Sequence, residues 1–180
     1  MEKAGTKEFN YGGCLEATCR IVTLRWECAS VGDAPSKELL ERIPAAAGVY
    51  AIDGCHDAAR GGALLYIGKT GAGSSSNVLA SRLPESLGRV WWDNTNGEFR
   101  LYSDVWNVRM RWATVCDREL ISGVERALIC AHSPLFNSQH ARSEIRPEDS
   151  DLLVLNVGNK GPLMPVVFGG YFNGELFDYY

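Results

Sequence analysis

The sequence predicts an α+β fold built on a small, mostly antiparallel sheet flanked by helices. Residues Val105–Val115 alternate apolar and polar side chains with the period of two that a strand requires. Residues Arg118–His132 carry an apolar stripe at helical spacing. Two short apolar runs, Gly48–Ile52 and Ala63–Ile67, flank a polar stretch with glycines, which indicates two strands joined by a loose turn. Helices and hairpins in this irregular order are typical of the α+β class.

The N-terminal elements are a strand and a short helix. Every second side chain of Arg20–Cys28 is apolar, which predicts the strand. The charged segment Ser36–Arg42 predicts the helix. Pro44 ends it, because the residue before a proline avoids the helical region.

A second helix is predicted over Val78–Leu83, with Asn77 as a good N-cap. Pro84 is expected to stop or kink this helix after barely two turns. Near the C-terminus, Asn159–Pro162 interrupts two apolar runs and predicts another pair of strands. The aromatic segment Phe168–Tyr180 is a candidate subunit contact, with ordinary packing as the alternative.

Length and composition predict one domain of an ordinary globular protein. The chain has 180 residues, of which 46% are hydrophobic and 22% charged. No apolar stretch approaches the ~18–20 residues of a membrane span, and the N-terminus lacks the apolar region of a secretory signal. We therefore expect a cytoplasmic protein. The six cysteines form no Cys-x-x-Cys pair and no zinc spacing, so we expect reduced, mostly buried thiols.

The charge distribution is compatible with a local phosphate site. The net charge of −4 argues against a protein that coats nucleic acid non-specifically. Residues 60–111, however, carry 7 basic and 4 acidic side chains. Arg109 and Arg111, on the polar face of the 105–115 strand, are candidate contacts to a nucleic-acid backbone, and a solvated sheet face explains them equally well. Trp106 and Trp112 could stack bases, but core packing is the simpler account.

A set of residues spread along the chain carries the functional signal. The predicted hairpin contains two tripeptides, Gly48-Val49-Tyr50 and Tyr66-Ile67-Gly68, and the second is followed by Lys69. Further along the chain come Arg82 on the next helix, Glu125 on the later helix and Asn137 shortly after that helix. The order and context of this set resemble the GIY-YIG nuclease family, with the first tripeptide in the variant form GVY. The resemblance covers residues 44–142 of a single domain, 1–180. Residues 1–43 and 143–180 are then N- and C-terminal extensions.

The resemblance implies a metal-dependent endonuclease that hydrolyses phosphodiester bonds in DNA, with RNA left open. In this role Glu125 binds Mg²⁺ or Mn²⁺, and Tyr50 and Tyr66 act at the attacking water. Arg82 and Lys69 bind phosphate, and Asn137 supports the site. Because one chain then has one cation and one active site, a double-strand break requires a homodimer or two successive binding and cleavage events by one chain.

The chemistry of phosphodiester hydrolysis fits these residue types. The reaction needs an activated water and neutralisation of charge in the transition state. Mg²⁺ typically takes one or two carboxylates and completes its shell with water and phosphate, and the planar fork of arginine binds phosphate oxygens bidentately. A phenol with a pKa near 10 is a poor base at neutral pH, so Tyr50 would need the metal or Lys69 to lower its pKa.

The chain departs from the family pattern on the helix of Arg82. Family members usually place a His or Tyr one turn after the arginine, but this chain has Ser86, with Pro84 in between. Serine is a much weaker proton shuttle, although His132 or His140 could supply such a group from elsewhere. The alternative function is therefore a catalytically weak or inactive module of the same fold, which binds nucleic acid or a protein partner.

Overall fold

Seven strands and three helices make up the residues that the computed structural model describes, 5–11, 15–31, 37–56, 59–73, 76–92, 105–137 and 147–169. In chain order they are β1 (Gly5–Tyr11), β2 (Leu15–Ser30), α1 (Lys37–Glu41), β3 (Gly48–His56), β4 (Ala59–Thr70), α2 (Leu79–Trp92), β5 (Val105–Thr114), α3 (Ile121–His132), β6 (Leu152–Gly158) and β7 (Val166–Phe168). A single 3-10 turn, Pro147–Asp149, precedes β6 in this part of the chain.

The strands form one sheet in the order β4-β3-β5-β2-β6-β7, and β1 also pairs with β2. Among the described strands, every pair is antiparallel except β2–β6, which is parallel. The predicted α+β class and the mostly antiparallel sheet are thus confirmed. The predicted C-terminal pair of strands is also present as β6 and β7. Through the β2–β5 pairing, the strands of both extensions complete the sheet of the 44–142 core.

Each face of the sheet has its own hydrophobic core. Tyr50 and Ile52 on β3 pack with α1 and α2 on the side that we call the α2 face. Val49 and Ala51, one residue out of phase, pack with α3 on the opposite side, the α3 face. Because successive strand residues point to opposite faces, β3 is buried on both sides and lies at the centre of the fold.

Strand β2 contributes to both cores. Leu24 and Trp26 are buried on the α3 face, and the Trp26 Nε1–H donates to the Asn156 Oδ1 at 2.8 Å. Ala29, an odd-numbered residue that points to the other side of the strand, and Val31 just after β2 are buried on the α2 face. The predicted strand Arg20–Cys28 is therefore only the middle of a longer strand that holds the two cores together.

Helix α2 continues past Pro84 to Trp92, so the prediction that Pro84 stops it is wrong. Proline removes one N–H, the one that would donate to the Ala80 carbonyl. Leu79 and Leu83 before it are fully buried in the core of the α2 face. Burial of these two side chains outweighs one missing hydrogen bond, since each buried leucine is worth ~1.5–3 kcal/mol.

Helix α3 begins at Ile121, three residues later than the sequence predicts. Asp117 holds the preceding residues in a separate turn: its Oδ1 accepts the Glu119 N–H at 3.0 Å, and its carbonyl accepts the Leu120 N–H at 3.3 Å. The helix ends where Ser133 adopts a left-handed conformation, with φ of 45°.

Two composition-based expectations can be compared with the described residues. No helix among them is both long enough and apolar enough to cross a membrane. The cysteines described, Cys19, Cys28, Cys55, Cys116 and Cys130, are free, and Cys116 is exposed while the others are half-buried. The expected burial of the thiols is therefore only partial.

Candidate active site

The β3–β4 hairpin brings the two tripeptides side by side. Tyr50 pairs with Gly68, and Ile52 pairs with Tyr66, so both tyrosines lie on the α2 face at diagonal positions. Their ring centroids are 6.1 Å apart, and the ring planes are inclined by 35°. Tyr50 is 1% exposed, whereas Tyr66 is half-buried. The phenol of Tyr66 is thus the more accessible of the two.

The glycines of the two tripeptides have steric reasons. A Cβ on Gly68 would overlap the ring and hydroxyl of Tyr50, which lies across it. A Cβ on Gly48 would overlap the Ala113 carbonyl on β5 and come within 3.1 Å of Leu79 on α2. Gly68 therefore makes room for the tyrosine of the first tripeptide, and Gly48 lets β5 and α2 approach the hairpin.

Helix α2 contributes Ser86 to the site. The Ser86 Oγ lies 2.7 Å from the Tyr50 hydroxyl, and both side chains are buried. Burial raises the pKa of Tyr50 well above its ordinary value, and the hydrogen bond to Ser86 only partly opposes this effect. Tyr50 is therefore a neutral phenol at physiological pH, although the base role expected from the sequence needs a lowered pKa.

Arg82 lies one turn before Ser86 and close to both tyrosines. Its Nη1 is 2.7 Å from the Glu85 Oε2, and the Glu85 carboxylate is the main reason that the pKa of Arg82 is raised. Tyr50 and Tyr66 also contribute to this shift. With a side chain that is 33% exposed, the guanidinium can reach a ligand from solvent while remaining beside the two phenols.

Lys69 and Glu125 form an ion pair on the α3 face. Lys69 follows Gly68 on β4 and therefore points to the opposite side from Tyr50. Its Nζ lies 2.7 Å from the Glu125 Oε2 on α3, with side chains that are 30% and 11% exposed. The electrostatic influence of Glu125 extends to Tyr50, where it helps to raise the pKa of the phenol. The ion pair and the two tyrosines thus lie on opposite faces of the sheet, at the end formed by β4.

Asn137 fixes the outer edge of β4 next to Tyr66. Its Oδ1 accepts the Ile67 N–H and its Nδ2–H donates to the Ile67 carbonyl, both at 2.8 Å. The N–H groups of Leu135 and Phe136 donate to the carbonyls of Leu64 and Leu65 in the same strand. The segment after α3 thus pairs with β4 like a short strand. Asn137 extends this pairing with its side-chain amide, which bonds the Ile67 N–H and carbonyl as a strand backbone would.

Tyr50, Tyr66 and Arg82 lie on the α2 face of the hairpin, and Lys69 and Glu125 pair on the α3 face. Asn137 binds the outer edge of β4. The two remaining candidates, Arg109 and Arg111, lie further along the sheet. Arg109 is exposed. Arg111 is 4% exposed, and its Nε and Nη2 are paired with the carboxylate of Asp53. The guanidinium of Arg111 is therefore committed to the interior of the fold.

The candidate metal ligand has limited support from its neighbours. In the described ranges, no group of three or more His, Cys, Asp or Glu side chains lies close enough to hold a metal ion. Glu125 offers a carboxylate with one oxygen engaged by Lys69. This arrangement fits a cation that takes one protein ligand and fills its shell with water and phosphate, and it does not fit a closed protein cage.

His132, one of the suggested substitutes for the missing His or Tyr, is occupied elsewhere. Its Nε2 accepts the Met164 N–H at 2.8 Å, so the proton is on Nδ1, which is 2.7 Å from the Leu128 carbonyl. Nε2 therefore ties α3 to the segment before β7, and Nδ1 bonds within α3. His140 lies outside the described residues.

In the sequence Ser86 stands out only as a departure from a pattern, whereas in the structure it bonds directly to Tyr50. Its spacing of four residues from Arg82, which places both on one helix face, is the signal that could have identified it. No protein-family model, no curated protein and no solved structure matches the chain.

Proposed function

We propose that this chain is a metal-dependent phosphodiester hydrolase, an endonuclease of the GIY-YIG type acting on DNA. The observation that supports this proposal best is the pairing of Tyr50 and Tyr66 on the α2 face of the β3–β4 hairpin, where Arg82 acts electrostatically on both phenols and Glu125 acts on Tyr50. Together with Lys69, which pairs with Glu125, these groups come from four separate elements, β3, β4, α2 and α3, and from both faces of the sheet. They combine phosphate-binding cations, phenols and one carboxylate, as phosphoryl chemistry requires.

The geometry suggests a division of work between the two phenols. Tyr50 is buried and neutral, so we assign it to hold Tyr66 and Ser86 in position through its ring contact and its hydrogen bond. The half-buried phenol of Tyr66 is then the one that faces the attacking water. This assignment differs from the one that the resemblance implies, in which Tyr50 helps to deprotonate the water.

The charged groups have complementary roles in the proposed reaction. Arg82 is partly exposed and would bind non-bridging phosphate oxygens with its planar fork. Lys69 would contact phosphate or hold Glu125 in place. Glu125 would hold Mg²⁺ or Mn²⁺, which when bound supplies a coordinated water and neutralises phosphate charge.

A plasmid-nicking assay tests this proposal. We expect the wild-type protein to nick supercoiled DNA with Mg²⁺ or Mn²⁺ and to lose this activity with EDTA. Glu125→Gln and Tyr66→Phe should each reduce the rate about 100-fold or more, since each removes a group used in the transition state. Glu119→Gln, an exposed carboxylate just before α3, is the matched control and should cleave like wild type.

Two outcomes would contradict the proposal. Equal cleavage by wild type and Glu125→Gln would remove Glu125 from the chemistry, and the cleavage would then belong to a contaminant or to another site. The absence of cleavage by folded wild-type protein with either cation would remove the hydrolase function. Circular dichroism of each variant ensures that lost activity is not lost folding.

A second candidate is a non-catalytic DNA-binding module on the same scaffold. Three features favour it: Tyr50 is held neutral by burial, Ser86 replaces the usual His or Tyr, and Glu125 is paired with Lys69. This candidate predicts salt-dependent DNA binding without cleavage, weakened by Arg82→Ala. Fluorescence anisotropy at several salt concentrations measures it, and a lack of any DNA binding would point to a protein partner instead.

A further inference from the structure

A pocket of about 600 Å³ opens on the sheet away from the candidate active site. Its polar lining comes from the end of β2, the middle of β3 and the middle of β5, and includes Ser30, Asp53, Asn107, Arg109 and Arg111. None of the residues placed in the candidate active site lines it. Its volume is within the range of ~300–1,000 Å³ that small-molecule sites occupy.

The floor of this pocket is a buried ion pair. The Arg111 guanidinium contacts both carboxylate oxygens of Asp53, with Nη2 at 3.2 Å from Oδ2, and its Nη1 donates to the Asn159 carbonyl. The side chains are 5% and 11% exposed. A buried pair of this kind contributes little net stability, because desolvation offsets the attraction between the charges. The pair does, however, present fixed charges and unused lone pairs to the pocket.

Two residues that line the pocket, Gly161 and Asn107, have left-handed backbone conformations. Gly161 has φ of 59°, and a Cβ there would overlap the Arg111 guanidinium. Asn107, at the pocket rim, has φ of 54°, a left-handed conformation that is unusual for a residue other than glycine. Asn107 lies where the β3–β5 register shifts between Asp53 and Cys55, and a bulge of this kind redirects a side chain. Ala63 and Pro162 add an apolar part to the lining.

The lining charges favour an anion. Arg111 and Asp53 neutralise each other, so the exposed Arg109 leaves the pocket with a net positive charge in a chain whose net charge is −4. Ser30 and Asn107 can donate hydrogen bonds beside it, and the remaining lone pairs of Asp53 can accept one. Such a pocket combines a cation for a phosphate, mixed donors and acceptors, and an apolar surface.

We propose that this pocket binds a nucleotide-sized phosphate ester, with the phosphate on Arg109 and the nucleoside over the Asp53–Arg111 floor. A bare phosphate would fill only a small part of 600 Å³. The binding does not depend on the hydrolase proposal, since the pocket shares no residue with that site. The phosphate ester has two sources, a free mononucleotide or the terminal nucleotide of a DNA strand.

Isothermal titration calorimetry with nucleoside monophosphates tests the proposal. We expect saturable binding of at least one of the common ribo- or deoxyribonucleoside monophosphates, tighter than binding of inorganic phosphate and of the corresponding nucleoside. Arg109→Ala should weaken it about 10- to 100-fold, as expected for loss of a charge-assisted hydrogen bond. Because Arg109 is exposed, this variant should keep the wild-type fold. Arg25→Ala, an exposed arginine elsewhere on β2, is the matched control and should bind like wild type.

Amide chemical shifts locate the site independently of affinity. Nucleotide addition should shift the signals of Gly54, Asn107 and Gly161 and leave those of Ser86 and Glu125 in place. Short duplexes with and without a 5′-phosphate distinguish the two sources: preference for the phosphorylated end identifies a strand terminus, and equal binding leaves the free nucleotide as the ligand. No nucleotide binding, binding no tighter than that of phosphate, or an unaltered affinity in Arg109→Ala would overturn the proposal.

Discussion

The phenol of Tyr50 and the hydroxyl of Ser86 form a hydrogen bond of 2.7 Å between strand β3 and helix α2. The two residues are 36 positions apart in the chain, and both are buried. The bond joins the tyrosine of the first tripeptide to the position at which the chain departs from the GIY-YIG pattern. It also explains how a serine is accommodated there, since the buried phenol needs a partner.

Replacing Ser86 with alanine should destabilise the fold by about 1–3 kcal/mol, because the buried phenol of Tyr50 loses this partner. Urea denaturation measures this effect.

The double variant Ser86→Ala/Tyr50→Phe provides the control for this hydrogen bond. We expect it to be less destabilised than the sum of the two single variants, because removal of both partners leaves neither unsatisfied. Strictly additive losses would show that the two hydroxyls do not interact.

Gly68→Ala should destabilise the hairpin, because the new methyl group would overlap the Tyr50 ring. Overpacking of this kind costs about 1–3 kcal/mol. The same substitution in a Tyr50→Leu background should cost clearly less, since the shorter side chain does not lie across residue 68. Thermal denaturation of the four proteins measures the difference, and an equal cost in both backgrounds would contradict the proposed contact.

His132 should make stability depend on pH below about 6.5. Burial lowers its pKa in the folded protein, and the charge of Lys160 acts in the same direction, while the hydrogen bond to the Leu128 carbonyl opposes them. The unfolded chain therefore binds a proton at higher pH than the folded protein does. The stabilising effect of a neutral His132 is complete above the unfolded pKa of 6.5 and is lost progressively as pH falls below it.

Urea denaturation between pH 5 and pH 8 measures this dependence, with His132→Gln as the reference. Glutamine can donate and accept hydrogen bonds as the neutral imidazole does, but it does not titrate. The difference in stability between wild type and His132→Gln should shrink as pH falls through this range. A difference that stays constant with pH would contradict the assignment.

The Asp53–Arg111 pair should be costly to break from one side. Asp53→Asn should destabilise the fold by about 3–5 kcal/mol, because Arg111 would remain as a buried charge without its counter-ion. The double variant Asp53→Leu/Arg111→Met should recover much of this loss. Glu41→Gln, which removes the exposed ion pair with Lys37, is the control and should have no measurable effect on urea denaturation. A small effect of Asp53→Asn alone would contradict a desolvated pair.

Sequence patterns predicted the elements well where hydrophobic periodicity is local. The alternation along Val105–Val115 and the stripe along Arg118–His132 correspond to β5 and α3 within a few residues. The prediction that the helix ends at Pro84 failed because it used only the local effect of proline, whereas the continuation of α2 depends on burial of Leu79 and Leu83 against the sheet. The same limitation applies to Arg111. Its strand position indicates a polar face, but the Asp53 carboxylate and the turn at Gly161 enclose it.

For the candidate site, the sequence supplied the residue types but not their states. The order of tyrosines and arginine along the chain selected Tyr50, Tyr66 and Arg82, which lie on one face of the hairpin, and Lys69 and Glu125, which form an ion pair on the other. It could not indicate that Tyr50 is neutral, that Ser86 is its partner, or that Lys69 neutralises Glu125. Each of these properties depends on desolvation and on distances of under 3 Å between residues from different elements.

The sequence by itself determined the α+β class, the three helices and the strands of the core, because side-chain periodicity and backbone propensity act over a few neighbouring residues. It did not predict β1, and only the tertiary structure decided which strands pair, where α2 ends, which charges are buried together and how the pocket beside Asp53 and Arg111 forms. The physical reason is that pKa values, ion pairs and cavities arise from the exclusion of water between segments distant in the chain. That exclusion exists only when the sheet and its two cores have assembled.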